Sequence, residues 1–319
     1  MAENKIKNKS EISEFCWKYV SIILFLVMLV LNILFTTNFA SWITFGNLII
    51  QSSKLLLVAL GMTAVIATGG IDISVGSAMA LGALVCALGL LNDEFLLIPL
   101  SLLIVIAFGA LAGISVTKFG VLPMVVTLAL RYIMRGMAKG ISGVGTITYT
   151  APALTSFFTK RVFGKIPVHL FFLIAAVLIM FVVVNHMKLG SYIEAYGNNN
   201  VAAKICGINT TRVVITCYCI IAALSWCAGI FEMVSVSSAN PSTIGTDYDI
   251  DAIAAVLIGG TPVTGGYPNI MGTVGGALVL QLFNMMCNMH NISYSVTIMI
   301  KGGLIILALF FHGLHRKKG

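Results

Sequence analysis

The sequence predicts an all-α, polytopic membrane protein, and three observations carry that prediction. Of 319 residues, 59% are hydrophobic and only 9% are charged, where soluble domains carry about 25% charge. Apolar segments of about 20 residues, long enough to cross ~30 Å of hydrocarbon, recur from end to end. The short alternating segments of a membrane β-barrel are missing. A helix satisfies its own backbone groups in lipid, so helical spans are the expectation.

Taken in order, residues 1–18 form a polar, basic tail, MAENKIKNKSEISEFCWK. The apolar run after it is longer than most cleavable leader cores and has no small-residue cleavage site nearby, so it reads as a retained first span, with a cleaved leader as the alternative. Spans are expected near 19–36, 54–70, 74–91, 95–117, 122–138, 167–187, 213–236, 250–260, 270–288 and 295–312, or about ten crossings. A transmembrane domain of 19–312 and a basic tail of 313–319 complete the chain. No stretch outside the spans is long enough to bury a core of its own.

An even number of crossings puts both ends on one side. Lys5, Lys7, Lys9 and Lys18 precede the first span, and Arg316, Lys317 and Lys318 close the last. Both termini are therefore expected in the cytoplasm. The same count makes the loop 188–212, with Lys188, Lys204 and Arg212, cytoplasmic, and makes Asp93, Glu94 and Asp247 to Asp251 external. The loop 139–166 is also placed outside, although it carries Lys139, Lys160, Arg161 and Lys165. The net charge of +8 is scattered rather than clustered on one face, which fits basic loops against anionic lipid and not nucleic-acid binding. The seven cysteines show no zinc-like spacing with histidine and read as small buried hydrophobes. No metal site is expected.

Two segments are interrupted. In GGIDISVGS, Gly69 to Ser77, Gly69 and Gly70 end one helix, and Asp72 or Ser74 can cap the next. Either the break lies at membrane depth, where irregular backbone must be buried or line a cavity, or it is a cytoplasmic turn. A second break, AVLIGGTPVTGGYPNIMGTVGGALVL at 255–280, echoes AVIATGGIDISVGSAMALGALV at 64–85. Related breaks in two halves point to a transport pathway. Gly69, Gly70, Asp72, Ser74, Gly259, Gly260 and Thr261 are its candidates. Small residues such as Gly109, Ala112, Gly113, Gly272, Gly275 and Gly276 would let helices approach closely.

The loop KLGSYIEAYGNNNVAAKICGINTTR contains a short helix that Asn199 or Asn200 can cap and Gly207 can end. Its apolar face, Val201, Ala202, Ala203, Ile205 and Cys206, suits a groove supplied by a partner. An interfacial helix lying on lipid is the alternative.

In this order and at these separations, GMTAVIATGGIDISVGS, AYGNNNVAAKICGI and DAIAAVLIGGTPVTGG resemble the permease subunit of ribose/galactose/xylose-type ABC importers. TLALRYIMRG fits as well, and the resemblance covers about Phe45 to Phe311. It implies a non-catalytic subunit of a bacterial inner-membrane importer for a monosaccharide or related solute, ribose-type foremost. A second permease, identical or paralogous, would complete a dimer. A separate cytoplasmic ATPase pair would carry ATP and Mg, and an extracytoplasmic binding protein would deliver solute. It further implies that Gly197, Asn199, Ala202, Ala203, Gly207 and Ile208 form the element that docks on the ATPase. One departure stands out. Relatives commonly continue the last motif with a serine and GGRG, whereas this chain has TPVTGGYP, with Pro262, Tyr267 and Pro268. No substrate role is carried over there.

Charges within spans are costly, about 2.5–3.5 kcal/mol each at the centre on insertion scales. Asp72, Glu232 and Lys301 fall in or near spans, and Asp72 and Glu232 are the expected partners of Lys301. Arg131 and Arg135, four apart on one face, are expected to anchor a span end at the headgroups, with a solute or binding-protein contact as the alternative. No GxxxxGK[ST] nucleotide motif occurs. The competing reading is an ion-coupled secondary transporter, but intramembrane acids are few and the histidines at 169, 186, 290, 312 and 315 lie mostly at span ends. An intramembrane enzyme would need paired acids, a metal cluster or an activated nucleophile, and no such spacing is visible.

Overall fold

A computed structural model describes residues 20–37, 39–143, 145–162 and 164–316, so the tail 1–18 and the last three residues of the basic tail lie outside it. The long helices follow the apolar periodicity of the sequence. They are α1 (Val20–Phe35), α2 (Trp42–Ala67), α3 (Val75–Leu91), α4 (Leu97–Lys118) and α5 (Pro123–Ser142). After a loop carrying the short α6 (Pro152–Thr159) come α7 (His169–Asn185), α8 (Lys188–Asn198), α9 (Asn200–Ile205) and α10 (Thr210–Val236). The chain continues as α11 (Tyr248–Ile258), α12 (Ile270–Met289) and α13 (Tyr294–Arg316).

A helix overlaps each predicted span. Among the described residues, α2, α4, α10 and α12 are long and apolar enough to cross a bilayer, and α7 and α8 together would do so as a pair bent by 64°. The fold is an all-α membrane bundle. α2 starts twelve residues before the expected boundary at 54, because Ser41 caps it by accepting the Thr44 amide. α11 is only 11 residues long, shorter than a bilayer crossing needs.

α10 is the central helix, packed by α2, α3 and α4. Glycines set the spacing: a Cβ on Gly109 would lie 2.5 Å from the Tyr218 carbonyl oxygen, and one on Gly113 would lie 2.6 Å from the Ile215 Cα. The small-residue faces noted at 109–113 and 272–276 are thus helix contacts. The core runs through α2, α3, α10 and α11 and buries Leu60, Met62, Met79, Leu84, Tyr218 and Ala255. Such close contacts replace the hydrophobic drive that lipid does not supply between helices.

Two small antiparallel pairings, β1 (Ile147–Thr148) with β4 (Ser238–Ala239) and β2 (Arg161–Val162) with β3 (Ile166–Pro167), close the end where α5 and α10 finish. The lysine-bearing loop 139–166 therefore lies at the opposite end of the bundle from the loop 188–212.

Candidate functional site

Three separate stretches of sequence converge at one end of the bundle. α2 stops at Ala67, and Gly69 turns the chain with φ +74°. The Gly266 amide donates to the Ala67 carbonyl at 2.8 Å. Gly197, at the end of α8, lies against both: a Cβ there would overlap the Ala67 oxygen and the Gly266 nitrogen. Gly265, with φ +87°, completes the junction, since a Cβ on it would lie 3.0 Å from the Gly197 oxygen and the Gly69 nitrogen. Side chains larger than hydrogen would force these backbones apart.

Immediately beyond the junction stands α9. Asn199 caps it, accepting the Val201 and Ala202 amides at 3.0 Å each. Gly207, with φ +80°, ends it. Ala203 is buried and Ile208 half-buried, so they hold the element to the bundle, while Ala202 is exposed. Val201 and Ile205 are 62% and 81% exposed. A six-residue helix with two bare aliphatic side chains is thereby fixed to the ends of α2 and of the loop preceding α12.

Beside the junction opens a cavity of about 530 Å³, lined by Gly69, Gly70, Tyr196, Asn198, Tyr218 and Thr264, among others. Gly70 is there for space, because a Cβ would sit 2.9 Å from the Tyr218 hydroxyl. Gly197 and Asn199 also reach its wall. The remaining pathway candidates do not. Gly259 packs against Gly272 and Thr273, Gly260 turns the chain with φ +86°, and Thr261 is buried, accepting the Asn269 amide at 3.0 Å.

Between Gly70 and Ser74 the chain has no regular secondary structure, and Asp72 is 3% exposed. Neither Asp72 nor Ser74 caps α3, contrary to expectation. Instead, one Asp72 oxygen accepts the Ser74 amide at 2.8 Å and the Ser74 hydroxyl at 2.6 Å. Ser74 has helical dihedrals (φ −86°, ψ −11°), which turn its side chain away from the cap position. The first turn of α3 then meets the segment entering α11, where Gly76 touches the Gly245 carbonyl. This is buried irregular backbone, the arrangement that membrane depth tolerates.

The charges pair differently from expectation. Lys301 donates to both oxygens of Asp251, at 2.9 and 2.8 Å, and not to Asp72 or Glu232. The reason is register: α11 begins at Tyr248, so Asp251 falls in its first turn, beside α13, while Asp72 is engaged with Ser74. Glu232 lies within electrostatic range of Lys54 and Arg135. Arg131 pairs with Asp249, and Arg135 donates to the carbonyls of Pro241 and Ile244 at 2.7 Å each. These arginines clasp the 241–249 segment. They also explain how Asp249, expected in an external loop, is 2% exposed, since a buried carboxylate needs such a partner.

Sequence reasoning passed over Gln51, Lys54, Asp249, Asp251 and Gln281. Gln51 and Lys54, three apart on one helix face, were legible as polar residues in an apolar run. Starting the span at 54 hid them at its edge. Among the described residues, no group of His, Cys, Asp and Glu could hold a metal ion.

The sequence matches the family described as the branched-chain amino acid transport system permease component over residues 44–309. It is 34% identical to the ribose import permease protein RbsC of Escherichia coli (strain K12) over 302 residues, 91% of each chain. The RbsC of Bacillus subtilis (strain 168) is also 34% identical, over 92% of this chain and 91% of its own. The fructose import permease protein FruG of Bifidobacterium longum (strain NCC 2705) is 29% identical over 90% and 87%. No solved structure matches the chain.

Proposed function

The chain belongs to this permease family, and from that premise we propose that it is the membrane-spanning translocation subunit of an ATP-driven, binding-protein-dependent importer. Its cargo is a monosaccharide or related small polar solute, with ribose foremost because the ribose permeases above align over nine-tenths of both chains. It sits in a bacterial inner membrane with about ten crossings and both termini cytoplasmic. A second permease, copy or paralogue, completes the pathway, and a binding protein delivers solute at the end opposite α9. The chain is not an enzyme and holds no cofactor, and ATP and Mg belong to the partner ATPase.

The observation that carries this reading is the rigid linkage of α9 to the junction. The aliphatic pair Val201 and Ile205 is left for a partner's groove. Because Gly197 leaves no slack against Ala67 and Gly266, a push on α9 moves the end of α2 and the 264–266 loop together. Those two segments border the cavity that contains Gly69, Gly70 and Thr264, so ATPase closure would open or close its mouth.

Replacing Ile205 by Asp tests the coupling. Uptake by inside-out-controlled vesicles containing the full importer should fall to background, and the ATPase should no longer co-purify with the chain. ATP-independent uptake that collapses with the ion gradient would instead establish the secondary-transporter reading.

A further inference from the structure

The other half of the bundle holds a second cavity, of about 350 Å³, that no motif announced. Gln51 and Lys54 of α2, Asp251 of α11, Gln281 and Asn288 of α12 and Lys301 of α13 line it. Asn288 is exposed at its mouth, next to Tyr294, where α12 turns into α13. α12 begins beside the α9 junction, so this mouth faces the opposite end.

Several features make this a built polar site in an apolar bundle. The Gln281 amide donates to the Gln51 side-chain oxygen at 2.8 Å, joining α2 to α12. The Lys301–Asp251 pair joins α11 to α13. Among the described residues, Lys54 makes no hydrogen bond, and Glu232 is the acid that acts on it electrostatically. An ammonium so placed has hydrogen-bonding capacity unused by the protein. On the wall Lys301 is paired with Asp251, and Lys54, within electrostatic range of Glu232 outside the lining, is left to donate to a ligand oxygen. Amide side chains both donate and accept, as hydroxyl groups do. An apolar ligand would strip water from these groups without replacing its hydrogen bonds, a cation would be repelled by Lys54, and an anion would shed its hydration against a single ammonium. The volume falls within the range of about 300–1,000 Å³ that small-molecule sites occupy.

We propose that this cavity is a binding subsite for a neutral, polyhydroxylated solute of monosaccharide size, entered from the end opposite α9. The direction of entry rests on the importer reading, but the chemistry of the cavity does not. The full-length chain in lipid nanodiscs, without ATPase or binding protein, should bind D-ribose or D-fructose in saturation-transfer NMR and equilibrium dialysis. Ribose 5-phosphate and L-leucine should not compete. Lys54→Met and Asn288→Leu should each weaken sugar binding about tenfold, as loss of a hydrogen bond to a buried ligand implies. Asn288 is exposed, so its variant keeps the test decisive should Lys54→Met not fold. Absence of sugar binding, equal binding by wild type and Asn288→Leu, or displacement of sugar by L-leucine would each overturn the assignment. Ile205→Asp should leave this binding intact while uncoupling uptake, so the subsite and the importer reading fail by different results.

Discussion

The two glycine-glycine breaks look alike in sequence and behave differently in the fold. The first, at Gly69 and Gly70, leads into an irregular stretch and opens onto the cavity beside Tyr218. The second, at Gly259 and Gly260, is shut. Asn269 caps α12 through the Gly272 amide and donates to the Gly259 carbonyl, both at 2.9 Å, and the first turn of α12 presses directly on Gly259. The same dipeptide therefore makes a hinge-like opening in one place and a packed corner in the other. What differs is the neighbour. A Cβ on Gly69 would meet only the Thr264 carbonyl, at 3.6 Å, whereas one on Gly259 would meet backbone at 2.5 Å.

Substitutions in the two breaks should separate in that order. Gly259→Ala is expected to have the largest effect, above about 3 kcal/mol, because backbone cannot move aside for the new methyl. The amount of assembled chain recovered by size exclusion should fall sharply. Asn269→Ala comes next, at about 2 kcal/mol, since it strands the Gly259 carbonyl and uncaps α12. A lowered denaturant midpoint of the solubilised chain would report it. Asp72→Ala in the first break should cost about 1–2 kcal/mol by releasing the Ser74 amide, and Asp72→Asn, which retains an acceptor, should recover most of that. Gly69→Ala should be mildest, about 1 kcal/mol for a positive φ, since the new methyl would make only ordinary van der Waals contact with Thr264, visible as a small drop in melting temperature. A Gly69→Ala loss as large as that of Gly259→Ala would erase the distinction between the breaks.

Sequence and structure agree most closely where the physics is local. Helix positions follow apolar periodicity, and the Asn199 cap and the Gly207 stop follow from side-chain and backbone chemistry within a few residues. Pairing across the bundle was not legible. Lys301 was assigned to the nearest buried-looking acids, yet its partner, Asp251, sat in what read as an external loop. Nothing in the helix of Arg131 and Arg135 showed that the 241–249 segment would fold back onto them.

By itself the sequence determined the membrane-embedded helical class, the two interrupted segments and the short capped helix α9, because hydrophobic periodicity, glycine and capping act over neighbouring residues. Only the tertiary structure decided that Ala67, Gly197 and Gly266 lock together, that one break opens while the other closes, and that Gln51, Lys54, Gln281 and Lys301 share a cavity. Those outcomes depend on which helices touch. In lipid, that choice is made by close backbone contact and by the need of each buried polar group for a partner.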